Sequence, residues 1–256
     1  RDRSPSRGLG DVYKRQVENK GQWAMIFNES VKNDSNPVDK TEKFMFDGER
    51  LIQHIIKQRY FEEEISNEVN LSYSDNQVTV TTDYLTLVYT LNSEGYASQC
   101  VYSLSSQNRI YQFSYSAEGY LTGIVENIDN TEYSSTSLTY ENGDITSISS
   151  KMNGLENKFI YEPGEESSTY HLPCLGLLEI HPLTFHIEAL YAGLLGKDPR
   201  HFTIRSCPAG SNDEKTIYSY EFDKKGNPSR MICQTTYAGG QANYYPYTRN
   251  ISVSFE

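Results

Sequence analysis

Cysteine is sparse and tryptophan nearly missing: 256 residues hold four Cys and one Trp, against 21 Tyr. No two cysteines show the C-x-x-C spacing of a zinc site. No apolar run reaches the ~18 residues a membrane-crossing helix needs. Basic residues are also few. The 23 Lys and Arg face 34 Asp and Glu, a net charge of −11, and an unneutralised acidic surface is repelled by nucleic-acid phosphates and anionic membranes. The strings G-x-S-x-G, H-E-x-x-H, G-x-G-x-x-G and the P-loop are lacking, and with them the common signatures of hydrolases, zinc proteases and nucleotide-binding folds. No cofactor or metal site is expected.

Residues 1–16, RDRSPSRGLGDVYKRQ, have no hydrophobic periodicity and resemble a translated adaptor from environmental sequencing. They are set aside as non-native. Without them the balance is 18 basic to 32 acidic residues, a net charge of −14. The remainder reads as an N-terminally truncated fragment whose signal or lipid anchor has been lost.

What is present is a repeat. Tyr111-Gln-Phe113-Ser-Tyr115, a polar turn ending in Gly119, then Leu121 and Ile124 form its clearest copy. Leu91 to Ala97 and Cys100 repeat it around Gly95, and Leu138-Thr-Tyr140 to Ile145 and Ile148 repeat it, one residue shorter, around Gly143. Tyr218-Ser-Tyr220-Glu-Phe222 to Pro228 and Met231 use Gly226. Phe44-Met-Phe46 to Ile52 and Ile55 keep the spacing, with Asp47-Gly48 as the bend and Arg50 in the glycine's place. Tyr73 to Val78 and Ile160-Tyr161 with Pro163-Gly164 are weaker copies. Period-two alternation puts the aromatics on one sheet face. Glycine late in the turn supplies the φ > 0 of a G1 bulge. Short turns join antiparallel neighbours, so each copy is one hairpin of a meander.

One stretch differs. LGLLEIHPLTFHIEALYAGLL, residues 175–195, begins a helical pattern at Pro182 and ends it before Gly196. Leu183, Ile187, Leu190, Tyr191, Leu194 and Leu195 follow helical spacing, and Phe185 and Ala189 widen the apolar face. Burying six such side chains is worth on the order of 10 kcal/mol before entropy is counted. A helix of about 13 residues spans roughly 20 Å, close to the roughly 24 Å of seven-residue strands. The expected fold is therefore mainly β: an antiparallel up-and-down meander curled into a barrel or half-barrel around one buried apolar helix near 182–195. Residues 17–43 read as a leading strand and linker, and 44–256 as a single domain. Gln58–Asn67, with its Glu62-Glu63-Glu64 run, reads as a charged connection or short helix.

The FxF…GxL and YxY…GxLxxI hairpins, together with Ala189-Leu190-Tyr191-Ala192-Gly193-Leu194-Leu195-Gly196-Lys197, resemble an uncharacterised family of secreted Bacteroidota proteins, a domain of unknown function with a porin-like fold. The resemblance runs from Phe44 to Glu256. The hairpins alone also resemble the tyrosine–aspartate repeats of Rhs-type shells. It implies an envelope or cell-surface location, often with a lipid anchor, and brings no catalytic residues. Arg50 and the weak hairpin at Pro163 depart from the pattern. A transmembrane barrel would point its apolar face at lipid and keep a wet lumen, a poor solvent for the 182–195 helix. With strands also short of 9–11 residues, a soluble barrel is expected.

Candidate chemistry is thin. Cys100 and Cys233 fall on the apolar face and read as buried, inert thiols. Cys174 and Cys207 bracket the helix and are the candidate disulfide of an exported protein, against two free thiols. Of His54, His171, His181, His186 and His201, the spacing of His181 and His186 suits no helical metal pair. His186 and Glu188 diverge by about 200° on a helix. The loop 237–247 clusters Tyr237, Tyr244, Tyr245 and Tyr247, which can stack on sugars or pack on a partner, or fold back on the rim. Three functions stand against one another. The first is a non-enzymatic, exported, monomeric β module, periplasmic or at the cell surface, binding a protein or glycan at this loop. The second is a hydrolase-like enzyme using His171, His181 and Glu179 near the helix N-terminus. The third is a carrier holding an apolar ligand inside the barrel.

Overall fold

The computed structural model describes residues 21–32, 38–60, 63–104, 107–167, 172, 175–211, 213–224, 226–236 and 247–256. Sixteen antiparallel strands close into one barrel in sequence order, and β1 pairs with β16. The first eight are β1 (Gln22–Lys32), β2 (Val38–Asp47), β3 (Arg50–Tyr60), β4 (Glu63–Tyr73), β5 (Gln77–Thr81), β6 (Thr86–Leu91), β7 (Ala97–Leu104) and β8 (Gln107–Tyr115). The second eight are β9 (Leu121–Ile128), β10 (Thr131–Glu141), β11 (Asp144–Met152), β12 (Leu155–Ser167), β13 (His201–Pro208), β14 (Lys215–Phe222), β15 (Pro228–Thr236) and β16 (Tyr247–Phe255). Closure leaves no unpaired sheet edge.

The repeat sets this geometry. Gly95, Gly119, Gly143 and Gly226 all have positive φ, and the register shifts just before each turn, at Leu91, Tyr115, Tyr140 and Phe222. Tyr111 and Phe113 are buried, as are Ile124 opposite Phe113 and Leu121 opposite the half-buried Tyr115. The strand lengths differ from expectation. They run from 5 to 13 residues, and ten of the sixteen have nine or more. Residues 22–43, expected to include a linker, supply β1 and most of β2, and Gln58–Asn67 continues β3 and β4. The outward-facing side chains alternate with the core; they are polar on β4 (Glu68, Asn70, Ser72), β10 (Ser135, Ser137, Thr139) and β16 (Asn250, Ser252, Ser254), while Ile26, Val88, Val101, Ile110, Val125 and Ile232 are outward aliphatics on other strands.

One hairpin shows a one-residue correction. The turn at Gly48 is as short as that at Asn142-Gly143, because Asp47 pairs with Arg50 as Glu141 pairs with Asp144. The core positions are therefore Leu51 and His54, both fully buried, and not Ile52 and Ile55, which are half-buried. A histidine thus occupies the place that Ile148 holds in the other short hairpin.

The segment between β12 and β13 lies inside the wall, as the 182–195 pattern implied, but it is not one helix. A 3₁₀ turn (Leu175–Glu179), a second (Leu183–Phe185) and α1 (Ile187–Tyr191) follow one another. The wall takes up backbone carbonyls at both ends of this stretch. The carbonyl of His181 accepts from Thr136 and Ser150, and that of Leu194 accepts from the Ala97 amide. The strands place the path. The chain enters from the repeat-turn end, turns near residues 179–185 beside the opposite rim, and returns through α1. On the way out, Leu194 O, Lys197 N and Arg200 N, each three residues apart, bond Ala97 N, Gly119 O and Gly143 O of three successive repeats. Each three-residue step of this strap spans one hairpin. At Gly196 (φ +89°) a Cβ would lie 2.7 Å from Gly119 O, so only glycine fits.

Leu177, Leu183, Ala189, Leu190, Tyr191, Leu194 and Leu195 are buried and share one core with strand residues from Met25 to Val253. Tyr191 stacks on Phe44 at 3.9 Å. The space between the segment and β9–β10 is about 20 Å³, room for a single water. Phe185 is the exception to the buried pattern: it is 39% exposed at the rim.

Candidate functional site

Polar groups gather where the internal segment turns beneath the rim. Glu126 follows Ile124 on the inward face of β9 and is fully buried. Its Oε2 lies 2.5 Å from His181 Nε2 and accepts from Ser134 Oγ at 2.7 Å. Its Oε1 is 3.3 Å from Arg109 Nη1. Burial opposes the charge on Glu126, but His181, Ser134 and Arg109 outweigh it and hold its pKa below the usual carboxylate range. Arg109 lies 5.6–5.9 Å from the rings of Tyr102, Tyr133 and Phe185, within cation–π range. The guanidinium and these three rings thus cover the turn of the segment.

Beneath this cap, Tyr111 and Glu126 are cross-strand partners. The His186 ring meets Tyr111 edge-on at 4.4 Å, and its Nδ1 is 2.8 Å from Tyr89 Oη. Complete burial pushes the His186 imidazole down to about 3, so it is neutral at neutral pH. Desolvation likewise pushes the Cys100 thiol up to about 12, which makes it a poor nucleophile.

Two further clamps join segment and wall. His54 Nδ1 is 2.8 Å from Glu188 Oε1, and its Nε2 is 3.4 Å from Glu42 Oε1. Burial lowers the His54 pKa, but hydrogen bonds to Glu188 and Glu42 prevail and raise it. Arg249 binds Glu29 through Nε (2.6 Å) and Nη2 (3.1 Å), and Nη1 reaches Glu179. Outside the lumen, His201 at the start of β13 is held by Asp144, 2.8 Å from both backbone N and Nδ1.

The structure brings His181 to a carboxylate, but that carboxylate is Glu126. Glu179 is engaged by Arg249, and His171 lies outside the described residues. His186 and Glu188 do diverge, one to Tyr89 and the other to His54. Tyr237, Tyr244 and Tyr245 also lie outside the described residues, as does the side chain of Tyr247, whose backbone opens β16. Cys207 is a buried free thiol on β13, Cys100 and Cys233 are buried, and Cys174 is outside the described residues. No group of three His, Cys, Asp or Glu that could hold a metal occurs among the described residues. Sequence reasoning missed Glu126, Arg109 and His54. The available signal was a charged or imidazole side chain at an inward, period-two position.

Comparison with other proteins agrees with this architecture. A porin-like protein from Bacteroides uniformis ATCC 8492 superposes with a TM-score of 0.81 at 27% identity, over 91% of this chain and 96% of that one. A porin-like protein from Bacteroides vulgatus ATCC 8482 superposes with a TM-score of 0.55 at 12% identity, over 90% and 97%, and that likeness concerns the fold alone. No protein of curated function matches the sequence. The model of one family, a domain of unknown function (DUF4595) with porin-like fold, matches residues 44–230, nearly three-quarters of the chain, and the protein belongs to that family.

Proposed function

We propose that this is a non-catalytic, exported β module, periplasmic or on the cell surface and held there by a lipid anchor, which acts as a monomer by binding a protein or glycan partner at its rim. The observation that carries this reading is the filled lumen. The chain's own segment occupies the space a solute would cross or an apolar ligand would need, and ligand sites of a few hundred Å³ have no counterpart in the ~20 Å³ beside it. Many strands are long enough to cross a bilayer, so length does not argue against a membrane barrel. The polar outer positions on β4, β10 and β16 do, because lipid would demand an apolar band there too, whereas the outward aliphatics such as Val88, Val101 and Ile110 cover only part of the wall. What remains for function is the rim, with its Arg109–aromatic cap and the Tyr-rich connection 237–246 between β15 and β16.

The test has two arms. In planar lipid bilayers the purified chain should produce no conductance, and steady single-channel currents would overturn the filled-lumen reading. On an array of neutral and charged glycans, or against a protein partner isolated by it, alanine at Tyr244, Tyr245 and Tyr247 should abolish binding without lowering Tm. Binding that survives this change removes the loop from the account.

Hydrolysis has one observation in its favour, the His181–Glu126 contact. Yet Ser134 donates to the same carboxylate and not to the imidazole, so among the described residues no hydroxyl is set against His181 as a nucleophile must be. Nitrophenyl esters and glycosides should show no turnover that is sensitive to His181→Ala.

A further inference from the structure

Away from the rim cap, the outer wall carries a concavity of about 430 Å³ across β15, β16, β1 and β2, within the size range of small-ligand sites. Strand register explains its shape. In one cross-strand row Arg230 faces Ser252, Ser252 faces Asn28, and Asn28 faces Thr41. In the next row Asn250 faces Ser30, which faces Asp39. The two short side chains, Ser252 and Ser30, are diagonal neighbours and form the floor. Each flank is braced: Arg230 Nη2 donates to Asn250 Oδ1 at 2.9 Å, and Thr41 Oγ1 donates to Asn28 Oδ1 at 2.9 Å. Four strands at about 4.8 Å spacing give a trough roughly 14 Å across.

Its chemistry is selective. No apolar side chain lines it, whereas lipids and peptides bind through apolar contacts. The barrel is closed, so no free strand edge is offered for strand addition. Each asparagine carbonyl already accepts one of these bonds, which fixes the amide and leaves its N–H groups as donors. Asp39, Ser30 and Ser252 have no side-chain partner among the described residues and supply acceptors and hydroxyls. Arg230 is offset by Glu221, so no net positive charge is on offer, and a chain of net charge −11 repels anionic polymers. Mixed donors and acceptors, preorganised on rigid strands, match a ligand dense in hydroxyl groups.

We infer that this trough binds a neutral oligosaccharide. The inference rests on the binding-module reading and sharpens it, placing a glycan site on the wall and not at the tyrosine loop. The test is affinity electrophoresis of the full chain in gels containing dextran, mannan, xyloglucan or laminarin. At least one of these should retard the protein. Asn250→Ala and Asp39→Ala should each weaken that retardation about tenfold in Kd, and Ser252→Tyr, which fills the floor, should abolish it. All three positions face solvent, and an unchanged Tm for each variant separates lost binding from lost folding. Retardation unaffected by these variants but lost with alanine at Tyr244, Tyr245 and Tyr247 overturns the trough and leaves the module reading standing. Retardation by none of the four polymers also overturns the trough, and the module reading then stands or falls on its own rim test.

Discussion

His54→Gln tests how the internal segment is fastened. His54 is fully buried between Glu188 on α1 and Glu42 on β2, and stacks on Phe44 at 4.0 Å. Removing one partner from a buried ion pair costs about 3–5 kcal/mol. Glu42 and Glu188 retain 17% and 14% side-chain exposure, which leaves them some water and points to the low end, about 3 kcal/mol. For a chain of this size that is roughly 6–12 °C in Tm. The pH dependence is more telling. The carboxylates raise the folded-state pKa of His54, so its contribution is fully present below about pH 6.5, the ordinary histidine value, and fades as pH climbs through the folded value. Burial raises the Glu42 pKa, but hydrogen bonds from His54 and Lys40 outweigh it and hold the pKa below its ordinary value, so Glu42 stays ionised across this range. The remaining residues are common to both proteins, so the difference between them reports His54. Urea denaturation of wild type and variant at pH 6, 7.5 and 9 should show a stability gap that is widest at pH 6 and narrows towards pH 9. A gap independent of pH, or one under about 1 kcal/mol, would refute the clamp.

Gly196→Ala should cost well over about 2 kcal/mol, because a strained positive φ, itself roughly 1–2 kcal/mol, is joined by the approach to Gly119 O. Gly95→Ala, with φ +86° and nothing within 4 Å, should cost the strain alone, and equal losses in denaturant melts would contradict the strap. Leu183→Ala removes a side chain with no exposure and should cost about 3–5 kcal/mol. Phe185→Ala at the rim should cost about 1 kcal/mol or less, and the reverse order would place the segment wrongly.

The hairpins were legible because each carries its own instructions. Tyr111-x-Phe113 alternates, Gly119 permits the turn, and neither depends on distant residues. The enclosed segment was legible as a demand for burial, since a stretch as apolar as 183–195 needs a covering wall. Its conformation was not, because the carbonyls of His181 and Leu194 bond residues 31 to 97 positions away, which no local pattern encodes. The Glu126–His181 pair, 55 residues apart, was hidden for the same reason. His54 was missed differently: the turn at Gly48 is one residue shorter than assumed, and a one-residue slip exchanges core and solvent faces.

Native-state hydrogen exchange over residues 186–200 bears most directly on the claim that the barrel encloses its own chain. The Leu190 amide bonds the His186 carbonyl inside the wall, and the Lys197 and Arg200 amides bond the Gly119 and Gly143 carbonyls at its turn end, so all three should be protected and Leu190 should exchange as slowly as the β8 and β9 amides, through the same cooperative opening. Exchange of the Leu190 amide within seconds while β8 and β9 stay protected would show that the segment lies outside the barrel.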